Sequence, residues 1–98
     1  MPKIKWSKDS IDNIKEITTF IAKDSPYYAK LFRDRIFEMI EHLEFFPEIG
    51  RLVPELNDPN IKELIFNKYR IIYQINEDYI EIISILHGSR LLQILGKN

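Results

Sequence analysis

The chain has 98 residues, enough for one domain with a single core. Its 45% hydrophobic, 12% aromatic and 30% charged content excludes a disordered or low-complexity protein, and the lack of cysteine excludes disulfides and thiolate metal sites. A net charge of -1, with 8 basic and 9 acidic residues in positions 1–50 and 6 of each in 51–98, argues against a strong nonspecific nucleic-acid binder or a charged tail.

No stretch reaches the roughly 20 apolar residues of a membrane span, and Met1 to Trp6 carries no apolar leader. We expect a soluble cytoplasmic protein that needs no membrane. Lys3 to Trp6 reads as a short strand with Ile4 and Trp6 on one face. Ser7 suits a helix N-cap. Ile11, Ile14, Ile17, Thr18 and Ile21 keep helical spacing, so a first helix runs to about Ala22 or Lys23, with charges on its other side.

Asp24-Ser25-Pro26 breaks and restarts the chain: Ser25 can cap, and Pro26 fits the first helical position, where its missing N–H costs nothing. A second helix is predicted from Pro26 to about Phe45, with Ala29, Phe32, Ile36, Met39, Ile40 and Leu43 as its apolar stripe. The short link implies an antiparallel hairpin. Pro47 ends the second helix. Residues 47–60 read as one ordered loop, tacked down by Ile49, Leu52, Val53 and Leu56.

The period then changes. Ile61–Phe66, Tyr69–Ile75 and Tyr79–Leu86 are β-branched and aromatic runs separated by Asn67-Lys68 and Asn76-Glu77-Asp78. They predict a three-stranded antiparallel meander, with the N-terminal strand as a possible edge. Ser89 to Leu95 reads as a short helix or a further strand, and Gly96-Lys97-Asn98 as a frayed end. The whole is one α+β domain over residues 1–98, in the order β-α-α-β-β-β, with the helical hairpin packed on a small antiparallel sheet.

Strand alternation then sorts side chains by face. An even loop after Ile75 pairs Tyr73 with Ile82, Ile71 with Ser84 and Tyr69 with Leu86, toward the core. It puts Arg70 opposite Ile85, with His87 close to Lys68. The first hairpin puts Ile65 opposite Arg70 and Glu63 opposite Ile72. Glu63, Arg70 and His87 are thus expected on one side of the sheet, bordered by Arg51, Glu55 and Arg90. A guanidinium binds phosphate through its fork, and a His or Glu can move a proton near neutral pH. Such a set supports metal-free RNA cleavage by the 2′-hydroxyl. The plainer readings stay open: a cross-strand ion pair for Arg70 and Glu63, a turn residue for His87, loop-tacking for Arg51 and Glu55, and a surface charge for Arg90. Tyr69, Tyr73, Trp6 and Phe66 read as core, and His42 as surface. Ile72, Ile83 and Ile85 make the far face partly apolar. No metal-ligand or nucleotide-binding spacing is present, so no cofactor or metal is expected.

Four stretches together resemble the RelE/ParE superfamily of type II toxin–antitoxin toxins. They are Trp6-Ser7 with Ile11, Ile14 and Ile17; Phe46-Pro47-Glu48-Ile49-Gly50-Arg51 on to Val53-Pro54-Glu55; Ile61-Lys62-Glu63-Leu64 with Tyr69-Arg70-Ile71-Ile72-Tyr73; and Ile85-Leu86-His87-Gly88-Ser89-Arg90. The resemblance implies a growth-inhibiting toxin, of the kind that stabilises plasmids, blocked by a cognate antitoxin. It implies one of two targets: DNA gyrase in the ParE branch, where no RNase chemistry is attributed, or the ribosome with mRNA in the RelE and YoeB branch.

In the RNase branch Arg70 matches a catalytic arginine, His87 a catalytic histidine and Glu55 a general-base glutamate. Lys62 stands where relatives carry arginine, which keeps the charge but loses the fork. Arg51 and Arg90 complete the candidate set. Yet Leu91-Leu92-Gln93-Ile94-Leu95 lacks the tail aromatic common in RNase members, and the opening pattern and the Gly-Arg…Val-Pro-Glu loop look nearer ParE. The expectation is therefore a ParE-like gyrase inhibitor, with ribosome-dependent mRNA cleavage second and a non-toxic peptide-binding α+β module third.

Overall fold

A computed structural model describes residues 2–90. Strand β1 (Lys3–Trp6) leads into α1 (Lys8–Asp24) and α2 (Pro26–Glu41), followed by β2 (Arg51–Leu52), β3 (Ile61–Phe66), β4 (Tyr69–Ile75) and β5 (Tyr79–His87).

The capping signals act as expected. The Ser7 hydroxyl accepts from the Ser10 N–H, and the Ser25 hydroxyl from the Tyr28 N–H, with Pro26 opening α2. The α-helical part of α2 stops at Glu41 and gives way to one 3₁₀ turn over His42–Glu44. That turn tightens the chain ahead of Pro47, so regular helix ends a few residues before Phe45. The stretch proposed as a tail element, from Leu91 on, lies outside the described residues, while Ser89 and Arg90 form a turn after β5.

The sheet has five strands in the order β1-β5-β4-β3-β2. The meander β3-β4-β5 is antiparallel, and β1 joins β5 in parallel at one edge. The loop 47–60 contributes more than a loop: Arg51 and Leu52 pair antiparallel with Glu63 and Lys62, making the other edge. Asn67 takes a left-handed conformation (φ 54°) in the tight β3-β4 turn, which asparagine tolerates.

The helices cover one face of the sheet. Ile14, Phe32, Ile36, Ile40 and Leu43 pack there against Ile71, Tyr73, Ile80, Ile82 and Ile85, with Trp6, Phe66 and Tyr69 against the margin. The four aromatics read as core thus lie in or against it. The far face carries a smaller cluster, Val53, Ile61, Ile72 and Leu86 with Leu56 and Ile83, roofed by the loop after β2.

The β4-β5 register corrects one expectation. The hairpin loop is even, and Tyr73 does pair with Ile82. Beyond that pair a β-bulge at Ile83 inserts one residue, so Ile72 faces Ser84, Ile71 faces Ile85, Arg70 faces Leu86 and Tyr69 faces His87. Every side chain after the bulge swaps sides relative to a regular ladder. Ile85 enters the main core in place of Ser84, and Leu86 joins the far cluster. The swap exchanges Ser84 and Leu86 for Ile85 and His87 on the helix side, so apolar content alone does not select it.

Candidate functional site

The site is built around the far side of β3 and β4, beginning with the loop that enters it. Tyr73 is fully buried, and its hydroxyl donates to the Pro47 carbonyl at 2.7 Å while accepting from the Gly50 N–H at 2.9 Å. Burial pushes the Tyr73 phenol above its ordinary pKa, which keeps the donating proton in place. A Cβ at Gly50 would lie 2.6 Å from that hydroxyl and 2.8 Å from the Glu63 carbonyl. Only glycine fits this approach, and it delivers Arg51 into β2 opposite Glu63.

Glu63 is 1% exposed and would be costly to bury unpaired. It has two partners. Arg51 Nε donates to Oε2 at 2.6 Å, and Arg70 Nε donates to Oε1 at 2.7 Å. Arg70, 6% exposed, turns its fork the other way: Nη1 and Nη2 meet the two oxygens of Glu55 at 2.9 and 2.7 Å. Nη1 also donates to the Arg90 carbonyl at 3.3 Å, which ties the turn after β5 to the arginine. The pair with Glu55 above all, then that with Glu63, raises the Arg70 pKa despite its burial. Two arginines and two glutamates thus form one balanced network that ties the roof loop to the sheet.

The candidate residues therefore divide. Arg70, Glu55, Glu63 and Arg51 come together. Arg90 borders them through its backbone carbonyl, while its exposed side chain has no described partner. Lys62 pairs with Tyr73 across the strands and points to the opposite side from Glu63, where its ammonium lies 3.6 Å from Glu48. His87 is the main correction. The bulge puts it on the helix side, edge-on to Tyr69 with ring centroids 5.7 Å apart. Its Nδ1 lies 2.8 Å from the Ser89 hydroxyl and accepts from the Ser89 N–H. It does not share a face with Arg70 and Glu63. A cleft of about 280 Å³ over the network is lined by Arg51, Glu55, Lys68 and Arg70 and does not include the imidazole.

Sequence reasoning missed Asn13 and half the role of Ser7. Asn13 Oδ1 accepts from the Ile85 N–H at 2.9 Å and lies 3.2 Å from the Ser84 hydroxyl, and the Ser7 hydroxyl donates to the Ile83 carbonyl at 2.8 Å. One polar residue beside an apolar helical stripe is an unremarkable sequence signal. Among the described residues no cluster of His, Asp and Glu is placed to hold a metal.

On the helix side lies a larger and mostly apolar groove of about 820 Å³. It runs between the α1-α2 hairpin and the β3-β4 turn, lined by Ile21, Tyr28, Leu31, Phe32, Phe66 and Tyr69. Arg35 and Lys68 stand at its rim, with no ion pair among the described residues.

The chain's helical hairpin, laid on one face of a five-stranded sheet, makes an α+β fold with solved counterparts. The chain superposes on a chain of the chromosomal ParDE system from P. aeruginosa with a TM-score of 0.73 at 18% identity, covering 89% of this chain and 96% of that one. The ParE toxin family of type II toxin–antitoxin systems, parDE, matches residues 4–92, and the chain belongs to that family. The solution structure of the conserved hypothetical protein HP0894 from Helicobacter pylori is a weaker match, with a TM-score of 0.44 at 14% identity over 94% of this chain and 100% of that one. No curated protein matches the sequence.

Proposed function

We propose that this ParE-family chain acts in the cytoplasm as the toxin of its pair, inhibiting DNA gyrase without RNase chemistry, and that a cognate antitoxin neutralises it. The observation that carries the reading is the closed state of the Arg70 network. Metal-free RNA cleavage needs a guanidinium fork open to phosphate and a base on the same side. The Arg70 fork is filled by Glu55, and its Nε by Glu63. A carboxylate engaged by a guanidinium is a poor proton acceptor. The histidine that would assist lies across the sheet. Arg70, Glu55, Glu63 and Arg51 are accordingly assigned to architecture.

The antitoxin is assigned to the helix-side groove. An apolar trough of that size, with Arg35 and Lys68 at its rim in no ion pair among the described residues, suits an amphipathic segment bearing acidic residues. Controlled expression of the chain without an antitoxin tests the target. Growth arrest with a DNA-damage response and intact mRNA supports gyrase. Arrest with codon-bounded mRNA cuts that vanish in His87→Ala establishes the ribosome-dependent RNase instead.

A further inference from the structure

The β4-β5 hairpin has two ladders available to it, and they differ in where His87 goes. A regular ladder continuing from Tyr73–Ile82 would set Ile72 opposite Ile83, Arg70 opposite Ile85 and His87 beside Lys68, on the Glu63 and Arg70 face. The bulged ladder sets Arg70 opposite Leu86 and turns His87 toward Tyr69. Both place apolar residues on both sides of the sheet, so burial alone separates them weakly. A bulge also disrupts ladder bonding, and buried backbone groups need partners.

Helix α1 supplies those partners. The Ser7 hydroxyl donates to the carbonyl of Ile83, the inserted residue, while the Ser7 N–H donates to the Ile82 carbonyl at 3.0 Å. Six residues on, Asn13 Oδ1 accepts from the Ile85 N–H and lies against the Ser84 hydroxyl. These contacts bracket the inserted residue from Ile82 to Ile85; the bond to Ile82 anchors the pair common to both ladders, and those to Ile83, Ser84 and Ile85 would lose their partners in the regular one.

We propose that Asn13, with Ser7, is the positioning residue that holds β5 in its bulged register and so decides which face of the sheet receives His87. The α1–β5 contact is then a register lock. Released, it brings His87 to the face of Arg70 and Glu63; engaged, it keeps the imidazole with the aromatic groove. The lock does not depend on which target the toxin poisons.

Nuclear magnetic resonance of the full chain tests it at three variants. In Asn13→Ala the Ile85 amide should exchange about tenfold faster or more, and cross-peaks between the Tyr69 and His87 rings should weaken as the regular ladder becomes populated. Asn13→Asp keeps the acceptor oxygen and should restore both signals. Ser7→Asp keeps an acceptor for the Ser10 N–H but has no proton for the Ile83 carbonyl, so it should loosen the same amides while leaving helix α1 protected. If Asn13→Ala fails to fold, Asn13→Asp and Ser7→Asp carry the test, because neither side chain belongs to the buried core. Wild-type Ile85 protection and Tyr69–His87 cross-peaks in Ser7→Asp, or their loss in Asn13→Asp, would overturn the lock.

Discussion

The two faces of the sheet handle charge in opposite ways. On the far face Arg70 is buried, its fork and its Nε are filled by carboxylates, and the roof loop closes over it. On the helix face Arg35 stands at the margin of an open aromatic groove with no ion pair among the described residues, and Lys68, in the β3-β4 turn, borders both that groove and the cleft over the network. A guanidinium already committed to two internal acids contributes to fold architecture, because extracting it leaves the buried Glu63 with Arg51 as its one remaining cation. A cation left at an apolar rim costs little to keep and is available to a partner. The difference separates residues that look catalytic from a surface that can be bound.

The comparison is broken most sharply at Arg70. Arg70→Met should destabilise the fold by about 3–5 kcal/mol, since the buried Glu63 loses one of its two cations. Arg70→Lys should recover only part of that, because an ammonium cannot span both acids. Denaturant titration measures both, and a near-neutral Arg70→Met would remove the architectural role.

Next comes the loop entry. Gly50→Ala forces a methyl against the Tyr73 hydroxyl and the Glu63 carbonyl, at an expected cost of about 1–3 kcal/mol in thermal or chemical unfolding. Tyr73→Phe strands the Gly50 N–H and the Pro47 carbonyl and should cost about 1–2 kcal/mol. Tyr73 also carries a sign for pH. Its folded pKa lies above the ordinary value because of burial, so the unfolded chain loses its proton first. Stability should therefore be whole below about pH 10 and fall as pH rises above it, by a component absent from Tyr73→Phe. The smallest effect belongs to His87. It is exposed, and His87→Ala should shift stability by no more than about 0.5 kcal/mol and leave growth arrest intact.

Most of the architecture was legible from local signals. Ser7, Ser25 and Pro26 marked the helix starts, period-2 runs marked β3 to β5, and Pro47 marked the end of the helical region. The Arg70–Glu63 pair followed from the β3-β4 register, which a tight Asn67-Lys68 turn determines. What escaped was non-local. The two-residue strand Arg51–Leu52 is too short to show a period, and it exists because Tyr73 and Glu63 receive it. The bulge at Ile83 depends on side chains of α1 more than seventy positions earlier in the chain. A run such as Ile82-Ile83-Ser84-Ile85-Leu86 is apolar enough to fit either register, and so the face of His87 could not be read from alternation. The same short-range logic that placed Glu63 beside Arg70 placed His87 on the wrong side.

The most direct measurement is a DNA gyrase supercoiling assay with the purified, antitoxin-free chain and its His87→Ala variant, run beside ribosomes translating a defined mRNA. Both proteins should block supercoiling to the same extent and leave the mRNA whole. Unhindered supercoiling together with codon-bounded mRNA cuts, lost in His87→Ala, would contradict the separation of the two faces and return the histidine to the chemistry.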